Sequence, residues 1–146
     1  MSTGPKRLAV KSKIAAISLS LILAPATGHS QAPTQIAGIY SDLRYVEEAG
    51  DLLGTEIFIV PSAGGMAYVA FVQEAEGGPE DPVIVPVVQK GNQVSIRARM
   101  YNYTMQFDGQ ISPKSFDGKL TTTGVDGKKS TEPFHLRKKK SYWEGP

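Results

Sequence analysis

The chain has 146 residues, with 16 lysines and arginines against 14 aspartates and glutamates, two histidines and no cysteine. Once an N-terminal leader is set aside, this length accommodates one domain but not two. The lack of cysteine excludes disulfides and attachment of a lipid to an N-terminal cysteine, so the domain must be stabilised by its core alone.

The N-terminal stretch has the composition of a secretory signal peptide. Four lysines and arginines precede an apolar run at residues 14–24, and small residues follow it, which are the three parts of an export signal. The run is shorter than the ~20 apolar residues of a membrane-spanning helix. Small residues allow cleavage after Ala26 or after Ala32, and a proline after the second site favours the first. We therefore predict a signal peptide at residues 1–26, a flexible segment at 27–35 and an exported protein that is periplasmic or secreted.

The charges of the remaining chain are unevenly distributed. Without the four bases of the leader, 12 bases remain against 14 acids. Residues 27–89 contain one base and nine acids, whereas residues 90–146 contain eleven bases and five acids. This asymmetry predicts either a dipolar surface or ion pairs between the two halves.

Residues 36–146 are predicted to form one all-β domain, a single antiparallel up-and-down meander of about eight strands that forms a barrel or half-barrel. Apolar and polar residues alternate most clearly at 94–100, which is typical of a half-buried strand. Turn-forming pairs such as Gly91-Asn92 and Asp126-Gly127 separate the strands. The predicted strands are Ile39–Val46, Thr55–Val60, Met66–Glu74, Pro82–Gln89, Val94–Met100, Met105–Ile111, Phe116–Leu120 and Phe134–Leu136.

Two of these strands are apolar on both faces, at residues 57–60 and 83–88. A second apolar face must be covered, either by a tail or loop of the same chain or by a second copy in a homodimer. Pro86 has no N–H to donate to a sheet ladder, which indicates an edge strand or a bulge. The position of Pro86 therefore leaves open whether the barrel closes.

Three short Asp-Gly motifs recur at a spacing of nine residues, ending at Gly109, Gly118 and Gly127. Calcium-binding nonapeptide repeats need more glycine in each unit, so we interpret the spacing as successive strands of similar length. Gly109 and Gly118 then occupy inward positions, where a missing side chain lets the sheet bend or a neighbouring strand approach.

The residues available for catalysis are few. His135 lies between Phe134 and Leu136, which both point to the core, so its side chain is predicted to face solvent. No set of residues has the spacing of a metal site or of a nucleophile motif. We expect a protein that is not an enzyme and has no cofactor.

The C-terminal stretch combines four consecutive bases, Arg137, Lys138, Lys139 and Lys140, with the aromatic residue Trp143. This combination predicts contact with an anionic envelope surface or an acidic protein partner. The alternative is a solvated strand whose charges pair with the acidic first half. No specific nucleic-acid partner is expected.

Two short segments carry a resemblance to a known group. Gly38-Ile39-Tyr40 near the first strand and Arg137 at the end of the last stand where lipocalin-like barrels have a Gly-x-Trp motif and an arginine that packs against it. Tyr40 replaces the tryptophan of that motif. The chain therefore resembles the lipocalin-like, or calycin-type, small β-barrels, and the resemblance implies a cavity for a small apolar ligand at the barrel mouth.

Two functions remain open on these grounds. The first is an exported, non-enzymatic β-barrel that binds a small amphiphilic or apolar ligand, and the second is an interaction module of the cell envelope, such as an inhibitor or assembly factor. The second would use the apolar outer strands and the basic tail, and a filled or collapsed barrel interior together with an apolar, symmetric outer patch would favour it. Aromatic side chains with polar tips suit an amphiphilic ligand. The pocket candidates are Tyr40, Tyr45, Phe71, Tyr101 and Tyr103.

Overall fold

A computed structural model describes Met1, residues 35–64 and residues 67–140. Apart from Met1, the predicted signal peptide at residues 1–26 lies outside the described residues, as does all but the last residue of the predicted segment 27–35. The regular structure of the described part is all β-strand, which confirms the predicted class. Within this part of the chain, no helix has the length and apolar character needed to cross a membrane.

The described residues contain nine strands in chain order. They are β1 (Gly38–Ser41), β2 (Arg44–Val46), β3 (Asp51–Pro61), β4 (Tyr68–Gly77), β5 (Val83–Lys90), β6 (Gln93–Arg99), β7 (Tyr103–Ile111), β8 (Ser115–Gly124) and β9 (Lys129–Lys139). From β2 onwards, each strand pairs antiparallel with the next one along the chain. This is the predicted meander of sequential hairpins.

β1 and β2 together make one strand of an eight-stranded barrel, because both pair with β3 in the same register. Between them, the carboxylate of Asp42 accepts the backbone N–H of Thr55, with an O···N distance of 2.7 Å. The N–H of Asp42 donates to the Thr55 carbonyl at 3.1 Å. Gly54 makes room for this contact, since its φ is +117° and a Cβ there would lie 2.9 Å from the Asp42 carbonyl oxygen. The predicted strand Ile39–Val46 is therefore present, with one interruption.

β1 closes the barrel, because it pairs with β3 on one side and with β9 on the other. Its pairing with β9 involves Arg137–Lys139, so that among the described strands Lys129–Leu136 pairs with β8 alone. Pro86 pairs with Val69 of β4, while the ladder between β5 and β6 begins at Val87. A closed barrel thus accommodates the proline in the part of β5 that has one neighbouring strand.

The turns define the two ends of the barrel. We call the end with the β3–β4, β5–β6 and β7–β8 turns the upper end, and the opposite one the lower end. The predicted turns at Gly91-Asn92 and Asp126-Gly127 are both present, with φ of 62° at Gly91 and 78° at Gly127. Positive φ is readily adopted by glycine, which explains why glycine occupies both turns.

The barrel interior is filled with apolar and aromatic side chains. Seventeen buried residues of the described chain form one cluster. Phe107 and Phe116 are among the largest fully buried side chains, and both rings meet Phe134 edge to face, at centroid distances of 5.4 and 4.8 Å. The predicted alternation in β6 places Val94, Ile96 and Ala98 in this core. The interior is thus a packed core.

Gly109 and Gly118 form a cross-strand pair between β7 and β8. A Cβ on Gly109 would lie 2.1 Å from the carbonyl oxygen of Asp117, and one on Gly118 would lie 2.2 Å from that of Asp108. No side chain fits at either distance, so the two strands approach each other in a way that only glycine permits. This confirms the close approach predicted for the two glycines.

Candidate functional site

Tyr40 and Lys138 close the upper end of the barrel. The Tyr40 side chain is fully buried and donates its hydroxyl proton to the Ile36 carbonyl at 3.0 Å. Burial raises the pKa of Tyr40 to about 12. The Lys138 ammonium lies 5.6 Å from the centroid of the Tyr40 ring and donates to the Ala37 carbonyl at 3.0 Å. The base that contacts Tyr40 is therefore Lys138, and Arg137, which the lipocalin-like resemblance implied, lies one position away on the outward face.

A cross-barrel hydrogen bond closes the core toward the lower end. Tyr103 on β7 donates its hydroxyl proton to the carboxylate of Glu74 on β4, and the Glu80 carboxylate lies 3.5 Å from the same hydroxyl. Burial raises the pKa of Glu74, the nearby charges of Glu80 and Glu76 raise it further, and the Tyr103 hydrogen bond lowers it. Burial, together with these carboxylates, also raises the pKa of Tyr103. The lower end is thus polar and carries a half-buried acid.

The pH dependence of stability tests the state of Glu74. Its folded-state pKa is above its ordinary value of 4.5, so the folded state binds the proton more tightly than the unfolded state does. The contribution of Glu74 to stability is therefore greatest below about pH 4.5 and falls as the pH rises through the folded-state pKa. We expect Glu74→Gln to raise the free energy of unfolding at neutral pH by less than about 1 kcal/mol and to leave it unchanged near pH 4.

Urea unfolding across this pH range measures the effect, with Glu132→Gln as a control at an exposed carboxylate. A difference between Glu74→Gln and the native chain that stays constant from acid to neutral pH would contradict this account of Glu74.

The five aromatic pocket candidates do not line a common cavity. Tyr40 is buried at the upper end, and Tyr103 points into the barrel near the lower end. Tyr45 and Phe71 lie on the outside, 56% and 37% exposed, and Tyr101 lies in the β6–β7 turn, 95% exposed. The structure brings only Tyr101 and Tyr103 to the same surface depression. Sequence alternation identifies the face of a strand, but it does not show which end of the barrel a residue reaches.

An apolar surface lies on the outside of β3, β4 and β5, and we call it the outer face. Phe58, Phe71 and Ile84 stand side by side on these three strands, and Ile39 of β1 extends the row. The Phe58 and Phe71 rings stack with a centroid distance of 6.0 Å. Ile84 and Val88 are 64% and 68% exposed. The outer face consists of Ile39, Phe58, Val60, Val69, Phe71, Ile84, Pro86 and Val88.

The sequence predicted two contributions to the outer face and missed the third. The strands at residues 57–60 and 83–88 were predicted to be apolar on both sides, and the structure confirms that each has inward and outward apolar residues. The middle strand, β4, also turns Val69 and Phe71 outward. Its apolar run at 69–72 was visible in the sequence and indicates the same two-sided character.

A surface depression of about 470 Å³ lies beside the β6–β7 turn. Arg97 and Arg99 line it from consecutive outward positions of β6, and Tyr101, Thr104 and Val125 are among the other residues of its wall. Neither arginine forms an ion pair or a side-chain hydrogen bond with another of the described residues. Two free guanidinium groups beside an exposed aromatic ring can bind an anionic group that has an apolar neighbour.

The basic C-terminal stretch is divided between the two sides of the wall. Arg137 and Lys139 lie on the outside, and the Lys139 ammonium is 3.5 Å from the Leu43 carbonyl oxygen. Lys140 is exposed and is the last described residue, so Trp143 lies outside the described part of the chain. Within the described part of the chain, the ion pairs Lys128–Asp126 and His135–Asp117 each join two residues of the second half.

His135 faces outward, as its neighbours predicted, and contacts the carboxylate of Asp117. The Ser115 hydroxyl also donates to this carboxylate, and the bonds from Ser115 and then His135 lower the pKa of Asp117. In a nucleophilic triad the histidine stands between the hydroxyl and the carboxylate. Here the carboxylate is in the middle, so this arrangement does not activate Ser115. Among the described residues, no group of three or more His, Asp or Glu side chains could hold a metal ion.

Comparisons of the chain with protein-family models, curated proteins and solved structures found no match. The closed eight-stranded antiparallel barrel is consistent with the lipocalin-like architecture that the sequence resembles. We therefore infer the function from the geometry of the surfaces described above.

Proposed function

We propose that the protein is an exported, non-enzymatic binding module that uses the outside of its β-barrel. The observation that carries this proposal is the distribution of apolar surface. The interior is filled by its own side chains, whereas Phe58, Phe71, Ile84 and Val88 remain exposed on the outer face. Contiguous exposed apolar residues of this kind mark interaction sites.

The filled interior separates the two functions that the sequence left open. A carrier of the lipocalin type holds its ligand inside the barrel, which requires space between the walls. Here Phe107, Phe116 and Met105 occupy that position, each 1% exposed or less. A ligand would have to displace side chains from a close-packed core, which is energetically costly. The interaction module is therefore favoured over the internal ligand carrier.

The exposed apolar area of the outer face is large enough to contribute to binding. Full burial of one Val, Ile or Phe side chain contributes roughly 1.5–3 kcal/mol, and Phe58, Phe71, Ile84 and Val88 are each more than a third exposed. They lie on adjacent strands, so one partner can cover all of them at once. Contact through this face therefore provides a substantial part of a binding free energy.

An uncharged apolar dye, N-phenyl-1-naphthylamine, tests where the protein binds. We expect its fluorescence with the native protein to fall about threefold or more in Ile84→Ser/Val88→Ser, because this double variant removes the two most exposed apolar residues of the face. Tyr45→Ser is the control, since Tyr45 is 56% exposed but lies on β2, outside both the outer face and the lining of the depression beside the β6–β7 turn. Dye fluorescence measured at equal protein concentration gives the comparison.

Native mass spectrometry of the same samples provides the second readout. We expect the mass of the polypeptide without a bound molecule. A small molecule retained in stoichiometric amount, with dye binding that Ile84→Ser/Val88→Ser does not alter, would place the binding site inside the barrel and overturn the proposal.

A further inference from the structure

We infer that the outer face docks on a lipid bilayer with anionic headgroups, and that Arg97 and Arg99 hold the headgroup phosphates. The inference rests on the proposed function, because it names the partner of the same surface. It also assigns a role to the depression at the β6–β7 turn.

The apolar part of the surface has the form that an interfacial site needs. Phe58, Phe71 and Ile84 form one row across three neighbouring strands, and Val60, Val69 and Pro86 form a second row beside it. Both rows lie on the convex outer wall of a barrel and are therefore accessible to a flat, extended partner. The outer face can therefore enter the boundary between headgroups and acyl chains while the rest of the barrel stays in water.

Basic residues lie on the two strands that border the outer face, β6 and β9. On the side of β5, Val88 stands opposite Ser95 of β6, and Arg97 and Arg99 follow Ser95 on the same outward face, past the end of the β5–β6 ladder. Beyond β1, β9 places Lys139 opposite Ile39, and Arg137 follows on the same outward face. Each base near an anionic lipid surface contributes about 1 kcal/mol, and long basic side chains extend their charges toward headgroups while their stems cover apolar surface.

The depression beside the β6–β7 turn is suited to a lipid headgroup. Its volume of about 470 Å³ falls within the usual range of small-molecule sites, roughly 300–1,000 Å³. Arg97 and Arg99 can each donate two N–H groups to one phosphate. Tyr101, which lines the same depression, has the ring and hydroxyl that suit the boundary between lipid and water.

A second copy of the chain fits the same surface less well. A two-fold axis lying in the outer face would bring each basic flank of one copy onto a basic flank of the other, because Arg97 and Arg99 lie on one side and Arg137 and Lys139 on the other. Like charges facing each other oppose association. An anionic bilayer that contacts β4 and β5 can also reach Arg97 and Arg99 on the neighbouring strand β6, so one partner satisfies the apolar residues and these two bases together.

Vesicle sedimentation tests the inference with the protein recovered from the export compartment of its expression host. Vesicles of phosphatidylcholine alone are compared with vesicles that also contain phosphatidylglycerol. We expect binding to the anionic vesicles only, weakened about tenfold or more by Arg97→Gln/Arg99→Gln and also by Ile84→Ser/Val88→Ser. Lys114→Gln/Lys119→Gln removes the same charge from the β7–β8 hairpin and is the control, with an expected change of less than about twofold.

The possible outcomes distinguish the inference from the proposed function. Equal binding of the native protein and Arg97→Gln/Arg99→Gln to anionic vesicles overturns the inference. So does a dimer in sedimentation velocity that Ile84→Ser/Val88→Ser abolishes, or binding to acidic proteins without binding to vesicles, and in both cases the proposed function survives. If the Ile84→Ser/Val88→Ser variant changes neither dye binding nor vesicle binding, both fail. Inorganic phosphate should reduce vesicle binding only as much as chloride does at equal ionic strength, since a larger effect would indicate a site for free phosphate.

Discussion

Gly118→Ala should destabilise the barrel by about 3 kcal/mol or more, which is among the largest effects that a single added methyl group can have. The new Cβ would lie 2.2 Å from the carbonyl oxygen of Asp108 and 2.6 Å from the Cα of Gly109. Both contacts are with the backbone of the neighbouring strand, which cannot rotate away as a flexible side chain can. The ladder between β7 and β8 would have to separate, and urea unfolding measures the loss.

Gly78→Ala is the matched control for this substitution. Gly78 has no heavy atom within 4 Å of an added Cβ and its φ is not in the left-handed region, so the variant should change the free energy of unfolding by less than about 0.5 kcal/mol. Gly109→Ala should resemble Gly118→Ala. Equal stability of Gly118→Ala and Gly78→Ala would show that the two strands do not approach as closely as described.

Phe116→Ala should lower the free energy of unfolding by about 3–5 kcal/mol, because it removes a fully buried ring and leaves a cavity in the core. The Phe116 ring lies between Tyr40, at a centroid distance of 6.1 Å, and Phe134, at 4.8 Å. Neither neighbour can fill the space without leaving its own position. Denaturant unfolding, with the slope checked against that of the native chain, gives the difference.

Phe71→Ala makes the comparison informative, since it deletes the same side chain from the outer face. Phe71 is 37% exposed, and its loss should cost about 1 kcal/mol or less. If both variants lost the same amount, Phe71 would be part of a core, and the outer face would not be available to a partner.

The strands could be predicted from the sequence because their period of two is a local property. Alternation in β6 through β8 identified the inward residues, and glycine in the turns marked the hairpins. The interruption at Asp42 could not be predicted, since it depends on a carboxylate that replaces a backbone acceptor opposite Thr55. Closure of the barrel at Pro86 could not be predicted from the local sequence pattern either, because it depends on which strands pair with β5 at that point.

The candidate site was harder to predict than the fold. Aromatic character suggested a shared pocket, but Tyr40 and Phe71 lie inside and outside the wall. The sequence did contain the signal for Arg97 and Arg99, two bases at alternate positions of the cleanest strand, which must share its outer side. The sequence alone assigns them no role, because an outward polar residue is ordinarily only solvated. The nearby outer face of β3, β4 and β5 is the feature from which we infer a role for Arg97 and Arg99.

The partial pairing of β9 determines how the protein can be approached from its edge. Lys129–Leu136 has one hydrogen-bonded neighbour among the described strands, and an unpaired strand edge is a template on which another chain can add a strand and begin to aggregate. This segment carries Lys129, Glu132 and Pro133, and charges and proline both oppose such addition. The edge is therefore protected against polymerisation, and association is left to side chains on the surface of the sheet.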